Sequence, residues 1–149
     1  MGITRGQSKP MSQTYDPANP KLAPLDEAII TYANKRKEMQ KRKQKEMKMW
    51  LDEFEDDLDR NVKIHFPGSA FVFTGLYLEG VIDDKEHPVV KKVVGKGGIF
   101  RTKVSGKTDY LVVAPEMAGA NKMYDALEYI EEGKNIKIIL MDDLIEALK

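Results

Sequence analysis

The sequence predicts an α/β fold: a small four-stranded, mostly parallel sheet in the order β-α-β-β-α-β-α, flanked by three helices and preceded by a long N-terminal helix and a disordered tail. Three observations lead there. From residue 69 onward, short runs rich in β-branched and aromatic residues alternate with amphipathic segments of helical length, the pattern of helical crossovers between parallel strands. Between Asp26 and Arg60 there is neither proline nor glycine, and Ala, Glu, Lys, Arg, Met, Gln and Leu dominate, which favours helix. Before that, Pro10, Pro17, Pro20 and Pro24 stand among Ser, Gln, Thr, Asn and Gly with little apolar surface to bury. The chain thus divides into a tail at 1–25, a charged helix at 26–62 and a compact domain at 66–149.

The elements follow in order. Asp26 is the expected N-cap of the long helix. Its middle, from Asn34 to Lys45, is polar nearly all round and belongs in solvent. Further on, Met47, Trp50, Leu51, Phe54 and Leu58 recur at helical spacing and form a stripe suited to docking on a domain or on another helix, with Asp52, Glu53, Glu55, Asp56, Asp57 and Asp59 on the other side. After the Phe66-Pro67-Gly68 turn, Ser69-Ala70-Phe71-Val72-Phe73-Thr74-Gly75 reads as a buried strand that breaks at Gly75. A helix spans Asp83 to Val94, and Pro88 requires it to begin close to that residue. Gly95-Lys96-Gly97-Gly98 ends it and turns the chain into the short strand Ile99-Phe100-Arg101. The third strand is Asp109 to Ala114, the next helix Asn121 to Glu132 with Gly133 as its cap, the fourth strand Ile136 to Leu140, and the last helix Met141 to Leu148.

Composition removes several classes of chemistry. The 149 residues contain no cysteine and two histidines, His65 and His87, so disulfides and thiolate metal sites are excluded and Cys or His nucleophiles lack partners. No apolar run reaches the roughly 18 residues of a membrane span, and the first twenty residues lack the apolar core of a signal peptide. A soluble, cytoplasmic protein is expected. Charge sums to zero, with 24 basic and 24 acidic residues, but the basic ones crowd into 35–48 and the acidic ones follow directly.

Two stretches attract a ligand reading. Thr74-Gly75 leaves a hydroxyl and backbone N–H groups at the carboxyl end of a strand, where open α/β sheets place ligands; the bland alternative is a strand-to-loop turn. Lys35, Arg36, Lys37, Lys41, Arg42, Lys43, Lys45 and Lys48 form either a solvated helix face or a contact to phosphate backbone. Apolar residues hold no a/d register through 34–46, which argues against a coiled coil. Other apparent motifs fail. Ser105-Gly106-Lys107-Thr108 has Arg101 where a nucleotide-binding loop needs glycine, and a strand follows it instead of a helix. Asp56, Asp57 and Asp59 lack the spacing, glycine and glutamate of a calcium loop. Asp83, Asp84 and Glu86 sit at a helix start, where carboxylates cap N–H groups.

The order of elements, together with Phe71-Val72-Phe73-Thr74-Gly75, Gly97-Gly98, Val104 to Val112, Gly119-Ala120-Asn121-Lys122 with Ala126, and Ile136 to Ile139, resembles a BRCT domain across residues 66–149. It is most similar to the type found in bacterial NAD-dependent DNA ligases and in the large subunit of replication factor C. Like them it lacks the tryptophan that many other BRCT domains carry in the last helix. The resemblance implies DNA binding, with a preference in the replication factor C case for 5′-phosphorylated duplex ends, helped by a preceding helix. It implies that Thr74 and the Gly75 N–H grip a phosphate oxygen and that Lys122 adds charge at the start of the second helix. Where many relatives place an arginine, this chain offers Lys85, which lacks the bidentate fork.

The expected function is that of a non-enzymatic DNA-binding module in replication or repair, recognising phosphate at ends, nicks or primer junctions, without cofactor or metal and without a membrane. If the source is bacterial, the protein is expected at the nucleoid. The alternatives are a protein-interaction or phosphopeptide-binding module, with the Met47 to Leu58 stripe gripping a partner or a second copy, and the carboxyl-terminal module of a larger DNA-processing enzyme.

Overall fold

The computed structural model describes residues 24–149; the tail expected at 1–25 lies almost entirely outside them. Helices α1 (Leu25–Arg42) and α2 (Gln44–Phe54) lead through a short 3-10 turn, Glu55–Asp57, into the α/β unit. That unit comprises β1 (Ala70–Thr74), a 3-10 turn at Asp84–Glu86, α3 (Pro88–Gly95), β2 (Ile99–Phe100), β3 (Tyr110–Val113), α4 (Asn121–Glu131), β4 (Lys137–Leu140) and α5 (Met141–Ala147). The four strands form one sheet in the order β2-β1-β3-β4, parallel throughout. Register pairs Phe71 with Tyr110 and Val112 with Ile139.

Period-two alternation sends successive strand residues to opposite faces, and both faces are covered, as parallel sheets require. Phe71, Phe73, Tyr110, Val112 and Ile139 pack with Val89, Val90 and Val93 of α3, Leu144 and Ile145 of α5, and Ile29 and Tyr32 of α1. Val72, Leu111, Val113 and Ile138 pack with Met123 and Ala126 of α4 and with Trp50 and Phe54 of α2. The two N-terminal helices therefore straddle the sheet, one on each face, and belong to the same core as the rest.

This straddling corrects the expectation of one continuous helix from 26 to 60. The helix breaks at Lys43 (φ −115°, ψ 33°), because a straight rod cannot cover both faces of one sheet. Its second part stops at Phe54, where the clustered Glu55, Asp56 and Asp57 would stack like charge on the negative end of a helix. Asp59 then leaves helical geometry to cover the open edge of β4: its N–H donates to the Ile138 carbonyl at 2.7 Å and its carboxylate accepts from the Ile138 N–H at 2.8 Å. At the other end, α1 begins at Leu25, with Pro24 rather than Asp26 in the capping position, and Asp26 instead pairs with Lys92 of α3 at 2.7 Å.

The helix expected from Asp83 starts later, at Pro88. Proline disfavours the helical conformation in the residue before it, and His87 is extended (φ −66°, ψ 132°), its Nδ1 accepting from the Val89 N–H at 3.2 Å as the N-cap. Gly98 follows α3 without a side chain because a Cβ there would lie 2.6 Å from Val93 Cγ1. No helix among the described residues is long and apolar enough to cross a membrane.

Candidate nucleic-acid interface

The carboxyl ends of β1 and β3 define the site. Strand β1 ends at Thr74, and Gly75 turns the chain with φ +84°. A Cβ at Gly75 would stand 2.6 Å from the Ala114 carbonyl oxygen and 3.0 Å from the Ala118 nitrogen, so the turn is pressed against the loop that joins β3 to α4, and glycine is needed for both space and conformation. The Thr74 carbonyl accepts from the Ala114 N–H at 3.0 Å. Thr74 itself is 6% exposed and Gly75 half-buried. The loop then enters α4, whose N-cap, Ala120, supplies no side-chain acceptor, leaving that positive helix end to the backbone and to half-buried Lys122. Among the described residues Lys122 takes part in no salt bridge. Thr74 and Gly75 thus lie against the loop that leads into the helix carrying Lys122.

The same loop anchors both N-terminal helices. Glu116 is buried and accepts two hydrogen bonds from the Arg36 guanidinium, from Nε at 2.9 Å and from Nη2 at 3.0 Å, with Gln40 adding a third at 3.3 Å. Arg36 also donates to Asp142 at the start of α5. On the other side, Trp50 Nε1 donates to the Gly119 carbonyl at 3.3 Å. The basic segment is open to solvent over most of its length, as expected, except at buried Arg36, and it crosses the carboxyl end of the sheet tied down on both sides.

Arg36 corrects the expectation that places it among the DNA-contacting cations. It is 5% exposed and its donors are engaged within the chain. Burial alone works against its charge, but the hydrogen bonds and charge of Glu116 outweigh burial and hold the guanidinium protonated more firmly than in a free arginine. Lys35, Lys37, Lys41, Arg42, Lys45 and Lys48 are exposed and Lys43 half-buried. Lys48 pairs with Asp52 one turn on, at 2.9 Å, with both side chains largely exposed, a weak bond that leaves it exchangeable. Lys37 turns toward α5, beside Ile145 and Lys149. Lys35, Arg42 and Lys43 face a cavity of about 480 Å³ between α1 and the two loops at the sheet's carboxyl end. Lys85 is not brought to this place: it is exposed on the 3-10 turn and lines a separate hollow with Val90, Val94 and Phe100 at the β2 edge.

The apolar stripe also changes meaning. Trp50 and Phe54 are buried, with ring centroids 5.0 Å apart, Leu51 and Leu58 pack against the same cluster, and Met47 is half-buried. The stripe is occupied by the chain's own sheet and α4, so it offers no face to another helix.

Sequence reasoning missed Glu116 and Tyr32. A signal existed for Tyr32 and Arg36, since Ile29, Tyr32 and Arg36 fall at i, i+3 and i+7 and continue one face of α1. Tyr32 is 1% exposed and meets the His87 ring edge-on at 4.4 Å. Burial is the main cause raising its pKa well above the usual tyrosine range, and burial also lowers that of His87 to about 3. No protein-family model matches the chain, and no curated protein matches it.

Proposed function

We propose that this chain is a non-catalytic DNA-binding module of replication or repair that takes hold of backbone phosphate, at ends or nicks, at the carboxyl end of its sheet. The observation that carries the reading is the crossing of α1 and α2 over the β3–α4 loop, tied by Arg36 to Glu116 and by Trp50 to Gly119. That crossing puts a cation-rich helix pair beside the Thr74-Gly75 turn and the uncapped start of α4. The resemblance to BRCT domains noted in the sequence supports the same reading.

The roles follow from the chemistry of each group. Helix-end N–H groups and Lys122 suit one phosphate held at short range. Exposed Lys35, Lys41, Arg42 and Lys45 suit neighbouring phosphates as mobile point charges, which add affinity without reading sequence. The acidic run at Asp52 to Asp57 limits how far along α2 a duplex can lie.

The salt dependence of binding to a short duplex tests this. Engagement of about four phosphates predicts a slope near −3.6 in log K against log salt. Replacing Lys35, Lys41, Arg42 and Lys45 together by glutamine flattens that slope strongly while the protein stays folded. A salt-insensitive affinity, or no affinity in low salt, would contradict the proposal.

A further inference from the structure

We infer that the groove between α1 and the loops after β1 and β3 is a binding site for one unpaired nucleotide, a base joined to a phosphate. The inference rests on the proposed function and names a ligand for a different surface from the Thr74-Gly75 turn. The cavity measures about 480 Å³, within the size range of small-ligand sites. Its lining divides as a nucleotide does. Tyr77, half of whose surface is exposed, lines it together with Met39 and Met117, and an exposed aromatic ring is a platform on which a base stacks regardless of its identity. Lys35, Arg42 and Lys43 offer charge to a phosphate. Arg36 and Glu116 neutralise each other, leaving those three cations against Glu38 and Glu79, an excess of one positive charge that suits one phosphate inside the groove, with Lys35 and Arg42 at its rim shared with the adjoining duplex phosphates.

A second observation points into the same groove. Tyr32 lines it, and the Tyr32 hydroxyl is buried with no hydrogen-bond partner among the described residues. Buried hydroxyls are normally satisfied, and an orphan at a ligand-sized cavity is a group in want of a partner. The nucleotide's source is either the terminal overhang of a strand or a free mononucleotide.

The experiment uses the full chain with three probes: a blunt 5′-phosphorylated duplex, the same duplex with a short single-stranded overhang, and deoxyadenosine monophosphate. The overhang is expected to bind about tenfold more tightly than the blunt end, the gain of one stacked base. Tyr77→Ala erases that gain and leaves the blunt duplex unchanged, whereas Tyr77→Phe, which keeps the ring, keeps the gain. The mononucleotide shifts the amide resonances of Tyr77 and Met117 and competes the gain away. Mononucleotide binding without an overhang gain supports the site and assigns it to free nucleotides. If the blunt duplex does not bind but the mononucleotide still shifts those resonances, the groove stands and the DNA reading falls. Equal affinity for both duplexes, with no response to the mononucleotide, overturns the inference and leaves the DNA reading to its own salt test.

Discussion

Helix α1 is joined to the sheet through a buried arginine, whereas α2 is joined through two buried aromatics, and the two attachments behave differently. On α1, Ile29 and Tyr32 supply apolar contact and Arg36 supplies charge that Glu116 must answer from a distant loop. On α2, Trp50 and Phe54 enter an apolar cluster and ask only for volume. The ionic attachment is specific but expensive to disturb from one side, since a buried pair gains little net stability and loses much when halved. The apolar one is stabilising in proportion to the surface it removes from water. Both converge on the loop at 114–120, so the basic segment is positioned twice over.

Breaking either attachment gives the largest expected effect. Glu116→Ala should cost about 3 kcal/mol in urea unfolding, because it leaves a buried guanidinium with Asp142 as its one remaining acidic partner. The paired change Arg36→Met with Glu116→Leu should recover most of that loss, and a double mutant as unstable as Glu116→Ala would contradict this view of the pair. Phe54→Ala should cost as much, at about 3 kcal/mol of stability, without the rescue by a second substitution that marks an ion pair. Gly75→Ala should cost about 2 kcal/mol, from its left-handed backbone angle and from the contact with Ala114, and urea melts measure it against the control Gly95→Ala, where a Cβ meets no neighbouring atom.

That control is chosen from structure, and the contrast between α1 and α2 shows why sequence could not supply it. The mostly parallel sheet and the three helices around it were legible because each element carries its own signature: Ala70 to Phe73 is an unbroken apolar run, buried throughout, and Val89, Val90 and Val93 recur as a helix face. The stripe at Trp50 and Phe54 was legible for the same reason, though not which of several surfaces it would meet. Arg36 was not, because its partner lies 80 residues away and a charge in a basic run has no local signature of burial. In the candidate site, Thr74, Gly75 and Lys122 could be proposed from sequence because they sit on element boundaries. Tyr77 and the groove could not, since a cavity is made by segments that only the fold brings together.

The smallest effect is a pH dependence that sharpens the comparison on the α1 side. His87 lies against Tyr32 with its pKa lowered to about 3 by burial, against about 6.5 in the unfolded chain. The unfolded state therefore binds one more proton between those values, so stability is full above pH 6.5 and declines as pH falls toward 3. Between pH 6.5 and 5, above the range of most carboxylates, the decline should be about 1.6 kcal/mol. His87→Asn, which keeps an N-cap acceptor for Val89, should flatten it. A flat wild-type profile over that window would show that His87 is protonated in place.

Fluorescence anisotropy on a recessed duplex, with and without its 5′-phosphate, decides whether the carboxyl end of the sheet reads phosphate at DNA ends. Tighter binding to the phosphorylated end, abolished in Thr74→Ala with Lys122→Ala while the salt-dependent binding through α1 persists, is the predicted result. Equal affinity for both ends in the wild-type protein would contradict it.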